Sequence, residues 1–420
     1  MPAVLSVTLA LCGVFAAIGG NLIRDSYTMP LKLLLILGGL SAFGPLAIDL
    51  YLPAFPSIAA DFATDSKAVQ LSLTAYFIGL ALGQVFYGPV ADRYGRRLPL
   101  LFGISLFALA SLACAFAPSL EWLLAARFAQ ALGGCAGMVV NRAVVRDLCT
   151  PIQAAKAFSQ LMLVMGLAPI LAPLVGGWLL TVGHWSVMFI LLAVFATLMG
   201  LAVFFGLPET LVPQEPRPRL SGAFKRYAGL LREPLFMAHA LTGGVAMAGM
   251  FAYIAGSPFI IIELYGVAPE HFGWFFGANA AGFVLFAQFN SRLLRRRPPM
   301  ALLKGTSLFY LFCTLLLLLA ALAEPASLWV IMMPLFGCVS VVALVLPNSS
   351  ACALAGQGHQ AGVASALMGT MQFVIAGGTT ALVGLLHDGS AMPLALVMFG
   401  CGLLCVLMAA MARRAAAHPV

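Results

Sequence analysis

Three ionisable side chains stand inside long apolar runs of this sequence: Asp49, Arg127 and Arg142. A charge at the centre of a bilayer costs about 3 kcal/mol on insertion scales, so such a residue normally faces a cavity or a partner and is a functional candidate by default. Asp49 is the strongest of the three. A carboxyl shielded from water can pass between its ionised and neutral forms near neutral pH, which would let it load and release a proton. The competing role is a plain cap near the outer surface, because Pro53 follows four residues later. Arg127 stays charged, so it would either act on a nearby acid or bond backbone carbonyls across a helix contact. Gln130, one residue short of a helical turn away, would be its neutral partner. Arg142 lies near the end of its run and can snorkel to the surface, which favours an ordinary boundary role.

The elements that hold these residues follow from composition. Of 420 residues, 62% are hydrophobic and 9% charged, with a mean hydropathy of +1.03. A water-facing surface needs about 25% charged residues, so the chain is an integral membrane protein of the all-α class. Apolar segments run over 31–53, 69–91, 98–116, 121–141, 157–181 and 186–207, then over 235–262, 272–290, 300–322, 328–349, 363–386 and 392–411. Each is near the roughly 20 residues that span a bilayer. The pattern predicts twelve transmembrane helices in two six-helix repeats, 29–207 and 235–420, joined by a polar linker at 208–234. A further apolar run, 3–20, has no basic residue ahead of it as a secretory signal would. It is either a thirteenth span or an extension over 1–28; twelve later spans already complete the pattern, so the extension is expected.

Alternate breaks differ sharply in charge. Arg93, Arg96 and Arg97, then Arg146 and Lys156, the linker, Arg292 with Arg295 to Arg297, and Arg413 with Arg414 fall on one side; the other carries Lys67 and seven acids. The positive-inside rule places the first set, the linker and the C-terminus in the cytoplasm. The net charge of +8 is explained by this topology, and the scatter of basic residues argues against nucleic-acid binding. Nine cysteines occur singly, without metal spacing. No phosphate loop, nucleophile elbow or His-Glu-x-x-His is present, which disfavours ATP as energy source and membrane hydrolysis as activity. Gly79-x-x-x-Gly83 and Gly133-x-x-x-Gly137 predict close helix contacts, and Asn279 and Asn348 are expected to bond between helices.

The break Gly88-Pro89-Val90-Ala91-Asp92-Arg93-Tyr94-Gly95-Arg96-Arg97 resembles the G-x-x-x-D-R-x-G-R-R signature of the major facilitator superfamily at every defined position. Within it, three segments resemble the Bcr/CflA group of drug:proton antiporters: Asp49-Leu50-Tyr51-Leu52-Pro53, Arg127-Phe128-Ala129-Gln130-Ala131-Leu132-Gly133, and Ala168-Pro169-Ile170-Leu171-Ala172-Pro173-Leu174-Val175-Gly176-Gly177. The last is similar to the antiporter motif, with Ala172 where many relatives carry Gly. The resemblance implies the superfamily fold and a proton-coupling role for Asp49, with Arg127 beside it.

In the loop motif, Gly88 and Gly95 are expected to permit turns. Asp92 is expected at a helix N-terminus or paired with Arg93 or Arg97, and the motif, with Arg96, would form a cytoplasmic latch that opens as the halves rock. Pro169 and Pro173 would kink the fifth span, and Gly176 and Gly177 would allow close packing. Candidate cavity residues are Tyr51, Tyr76, Gln130, Met165, Tyr253 and Phe373. The expected function is export of a small lipophilic drug-like compound in exchange for protons. The chain would act as a monomer in a bacterial inner membrane, without metal or cofactor. A proton-coupled carrier of a sugar or small metabolite is the nearest alternative, and a membrane-embedded enzyme or channel the alternative of another class.

Overall fold

The computed structural model describes residues 30–149, 151–211, 220–357 and 360–417. The early apolar run and the stretch 212–219 of the linker lie outside them. Among the described residues there is no strand, and twelve helices are long and apolar enough to cross a membrane. A backbone in lipid must satisfy its own hydrogen bonds, which leaves a helix as the only solution for each isolated apolar run. The helices are α1 Leu31–Asp49, α2 Ser66–Tyr94, α3 Arg97–Ala115, α4 Leu120–Leu148, α5 Pro151–Val182 and α6 Ser186–Gly206. The second set comprises α7 Pro234–Pro258, α8 Phe272–Leu293, α9 Pro299–Leu322, α10 Leu328–Leu354, α11 Ala361–Leu385 and α12 Met392–Ala417.

Helix starts carry local signals. The Asp65 carboxylate accepts the Ala68 N–H at 2.8 Å and caps α2, and Ser119 Oγ caps α4 through the Trp122 N–H. The first span departs from its expected end at residue 53. After α1 the chain makes a 3-10 turn, Leu52–Ala54, and a short helix, Phe55–Asp61, so that one spanning unit runs Lys32–Asp61. Pro53 and Pro56 sit in the first turns of these short elements, where a proline removes no needed N–H. The seventh span repeats the device: after Pro258 it continues as a π-helical turn, Phe259–Leu264.

Within the first six helices α4 packs on α2 and α3, α3 on α6, and α5 on α1; within the second six α7 packs on α10 and α12, and α9 on α10 and α12. The two sets meet along α2 with α11 and α5 with α8. The predicted small-residue contacts are made: Gly79 lies against Phe128 and Ala131, Gly83 against Cys135, and Gly133 against Gly103 and Phe107. Large apolar side chains such as Phe102, Leu109, Trp274 and Met333 point outward, as a lipid-facing surface requires. A linker helix, Leu220–Leu230, buries Tyr227 and Leu230 against Phe236, Ala364 and Met368. The arginine-bearing ends of the helices form a basic end, and the opposite ends an acidic one.

Candidate functional site

Asp49 closes α1 and is 3% exposed. It is not a surface cap. The chain continues from residue 49 to Asp61 before reaching the acidic end, roughly 18 Å at about 1.5 Å per residue. Asp49 Oδ1 is buried and accepts no hydrogen bond, and among the described residues no ion pair includes this carboxyl. Across the seam stands Tyr253 of α7, 1% exposed and within electrostatic reach of Asp49. Asn279 Nδ2 of α8 donates to the Tyr253 hydroxyl oxygen at 2.8 Å, the helix-to-helix bond expected of Asn279. An unpartnered buried polar atom costs about 1–3 kcal/mol, so its retention calls for a role other than stability.

Arg127 is fully buried. Its guanidinium lies 4.2 Å from the Tyr76 ring centroid and 4.4 Å from that of Tyr51, with Phe189 at 5.8 Å. Nη1 donates to Gln130 Oε1, and Gln130 Nε2 donates to Ser111 Oγ at 2.7 Å. Gln130 is therefore the neutral partner expected of it. The Tyr51 hydroxyl shares a 2.8 Å hydrogen bond with Ser72 Oγ. Arg127 Nε and Nη2 have no partner. Desolvated cation–π contacts are worth up to about 2 kcal/mol each, which offsets part of the missing carboxylate. No ion pair joins Arg127 to Asp49; Tyr51, two residues after Asp49, is the physical link between them.

The other cavity candidates separate. Tyr51 and Tyr76 are walls of the arginine cage. Phe373 of α11 packs with Phe77 of α2 and Phe251 of α7, centroids 6.3 and 5.8 Å away, an aromatic cluster that crosses the seam. Met165 is half-buried on α5 beside Gly166, which faces Val284 of α8.

Helix α5 runs unbroken through Pro169 and Pro173. Gly176 leaves no room for a side chain against the Leu50 carbonyl, and a Cβ on Gly177 would stand 3.0 Å from the Glu270 carbonyl oxygen. The close packing expected of this pair is made, and it brings α5 between the residue after Asp49 and the lead-in to α8. Ser66 Oγ donates to Glu263 Oε1 nearby, and Gln70 Nε2 donates to the Thr380 carbonyl at 3.3 Å. These contacts join the two sets of helices at the acidic end.

At the basic end the loop motif differs in detail from expectation. Gly95 has φ +95°, and a Cβ there would strike the Glu209 carboxylate. Glu209 accepts the backbone N–H groups of Arg96 at 2.8 Å, Arg97 at 3.1 Å, and Thr210 and Leu211 at 3.0 Å. It, and not Asp92, occupies the N-terminus of α3, where an anion is favoured. Burial pushes its carboxyl up, but the four donors outweigh burial and hold it below the usual range. Asp92 pairs with Arg96 at 2.6 Å, not with Arg93 or Arg97, because the guanidinium one turn on is the one within reach. Arg96, 2% exposed, also bonds Asp147 of α4 at 2.8 Å. Arg97 donates to the Phe204 carbonyl, and Arg93 lies over Tyr94. Gly88 is helical with open space beside it, so it makes no turn. The acids Asp147 and Glu209, absent from the sequence reading, come from α4 and from the segment just after α6, so the network ties together α2, α3, α4 and the exit of α6 within the first six helices instead of latching one half to the other.

Residues 37–381 match the Major Facilitator Superfamily. The chain belongs to that superfamily. It is a multi-pass membrane transporter and not an enzyme. It is 38% identical over 376 residues to the uncharacterized MFS-type transporter YdgK of Bacillus subtilis, covering 88% of this chain and 92% of the relative. It is 30% identical to the bicyclomycin resistance protein homolog of Haemophilus influenzae (89% and 94% covered) and to multidrug resistance protein D of Escherichia coli (90% and 94%). The fold is similar to that of a bacterial homolog of the lysosomal transporter Spinster in an inward-facing, unoccupied conformation: TM-score 0.71, 16% identity, 93% of this chain and 98% of that one. The xylose transporter XylE in a partially occluded inward-open form gives a TM-score of 0.70 at 12% identity, covering 90% and 96%.

Proposed function

We propose that this transporter exports lipophilic antimicrobial compounds in exchange for protons by alternating access. It would act as a monomer in a bacterial inner membrane, with the basic end, the linker and the C-terminus in the cytoplasm. The observation that carries this reading is Asp49, a buried carboxyl with no ion-pair partner at the seam of two helix sets, within electrostatic reach of Tyr253 of the opposite set. A group of that kind senses both protonation and the approach of the halves. The charge bias supports the orientation, and the bicyclomycin-resistance and multidrug-resistance names of two relatives support the cargo class.

The cycle runs through this chain's own residues. With the acidic end open, Asp49 takes a proton from outside and the compound leaves. The neutral carboxyl then tolerates closure against Tyr253 and Leu50. With the basic end open, the proton departs to the cytoplasm and the compound binds among the aromatic side chains at the seam. Each proton crossing 100 mV supplies about 2.3 kcal/mol, enough for a roughly 50-fold gradient of compound. A sugar or metabolite carrier would need several hydroxyl-binding side chains near Asp49, where Tyr253 and Asn279 supply two. Inverted membrane vesicles test the reading: addition of an exported compound should move protons in the wild type and not in Asp49→Asn. Equal proton movement by both proteins would overturn it.

A further inference from the structure

The two repeats carry an arginine-rich turn at corresponding places, α2–α3 and α8–α9, but only the first holds its own acids. The second runs Arg292-Leu293-Leu294-Arg295-Arg296-Arg297, and no Asp or Glu occurs between Glu270 and Glu324. Its backbone keeps coiling after α8: the N–H groups of Leu294, Arg295, Arg296 and Arg297 bond to carbonyls three or four residues back before Pro298 begins the approach to α9. Four guanidinium groups are thereby held in about one and a half turns. The base of the turn is fixed, since Asn290 is buried and accepts a hydrogen bond from Asn348 Nδ2 at 2.8 Å. All four arginines are exposed, and none makes an ion pair or stacks on a ring. Exposed Lys304 follows on the first turns of α9, and Leu294 projects among the arginines at 38% exposure.

Four like charges held together by fixed backbone repel one another unless an anion neutralises them. Guanidinium groups bind phosphate oxygens in paired hydrogen bonds, and the cluster stands where lipid-facing helices emerge from the apolar layer. We infer that the α8–α9 turn is a binding site for the phosphodiester headgroup of anionic phospholipid, with Leu294 in the acyl boundary. The corresponding α2–α3 turn is set apart by its own partners: Asp92 and Asp147 hold the Arg96 guanidinium, Glu209 takes the backbone donors, Arg97 bonds the Phe204 carbonyl and Arg93 lies over Tyr94, so it is expected to take no lipid phosphate. The leaflet concerned follows from the proposed orientation; binding itself does not depend on it.

The test uses full-length protein in detergent, titrated with phosphatidylglycerol or phosphatidylcholine, with bound lipid counted by native mass spectrometry. The wild type should prefer phosphatidylglycerol by about tenfold or more, on the scale of about 1 kcal/mol per basic residue, and the preference should fall with salt. Ser291→Asp with Leu294→Glu keeps every arginine, and so the insertion signal, while giving the turn acids of its own; its preference should drop below about twofold. Arg93→Gln with Arg97→Gln should bind like the wild type, as should Asp49→Asn, which separates this outcome from the transport mechanism. A wild type without preference, a preference that survives the two introduced acids, or displacement of the lipid by millimolar inorganic phosphate would each overturn the inference.

Discussion

Asp49 and Arg127 at the seam, and Asp92 and Arg96 at the basic end, are the same two residue types put to opposite use. In the α2–α3 network at the basic end the buried charges are answered by one another: Arg96 holds two carboxylates, and Glu209 takes four backbone donors. At the seam, Asp49 has no ion pair and Arg127 has aromatic rings and one amide in place of an anion. Paired charges fix geometry, since separating them leaves each one unsatisfied. A buried carboxylate without an ion pair costs stability, and protonation relieves that cost, so Asp49 is free to change state. Stability and function should therefore respond in opposite senses to neutralising the two sites.

Asp49→Asn carries the largest expected effect. Proton movement driven by exported compound should fall at least about 100-fold, while the unfolding temperature in detergent does not drop, because a buried carboxyl without a salt bridge is replaced by a neutral group. A drop of several degrees would make Asp49 a structural residue and dissolve the contrast. Arg96→Met is the converse change. It leaves Asp92 and Asp147 without their cation and should cost about 3 kcal/mol in unfolding, while protein that remains folded transports within about threefold of the parent. Arg127→Lys sharpens the seam side: the charge remains, but the planar group between Tyr51 and Tyr76 is lost, and transport should fall about tenfold with little change in folding. Near-parental transport would show that charge alone suffices there.

Glu209→Ala is the smallest, about 1 kcal/mol of unfolding free energy for the lost helix-terminal acceptor. Its sign with pH is fixed. The folded-state carboxyl lies below its ordinary value, so its stabilisation is present above about pH 4.3 and is lost as pH falls through the folded value. Wild-type and Glu209→Ala unfolding curves should converge on acidification; a gap that widens instead would reverse the account.

Apolar run length and the alternation of basic and acidic breaks are one-dimensional quantities, so the sequence by itself determined the twelve spans and their division into two sets, and the resemblance of residues 88–97 to the family signature pointed to the superfamily. It also determined Gly95 as a turn, Gly176 and Gly177 as sites of close approach, and Gln130 as the partner of Arg127, because that contact is one helical turn long. Partners far apart in sequence were set only by the tertiary structure. Glu209 reaches the start of α3 across 112 residues and Asp147 reaches Arg96 across 51, and nothing local marks either. The depth of Asp49 was likewise decided by folding: Pro53 read as the end of a span, yet it sits where a short helix begins, and the spanning unit continues to Asp61. A proline fixes its own φ and removes one donor, and only the packing of neighbouring helices determines whether the chain stops there or goes on.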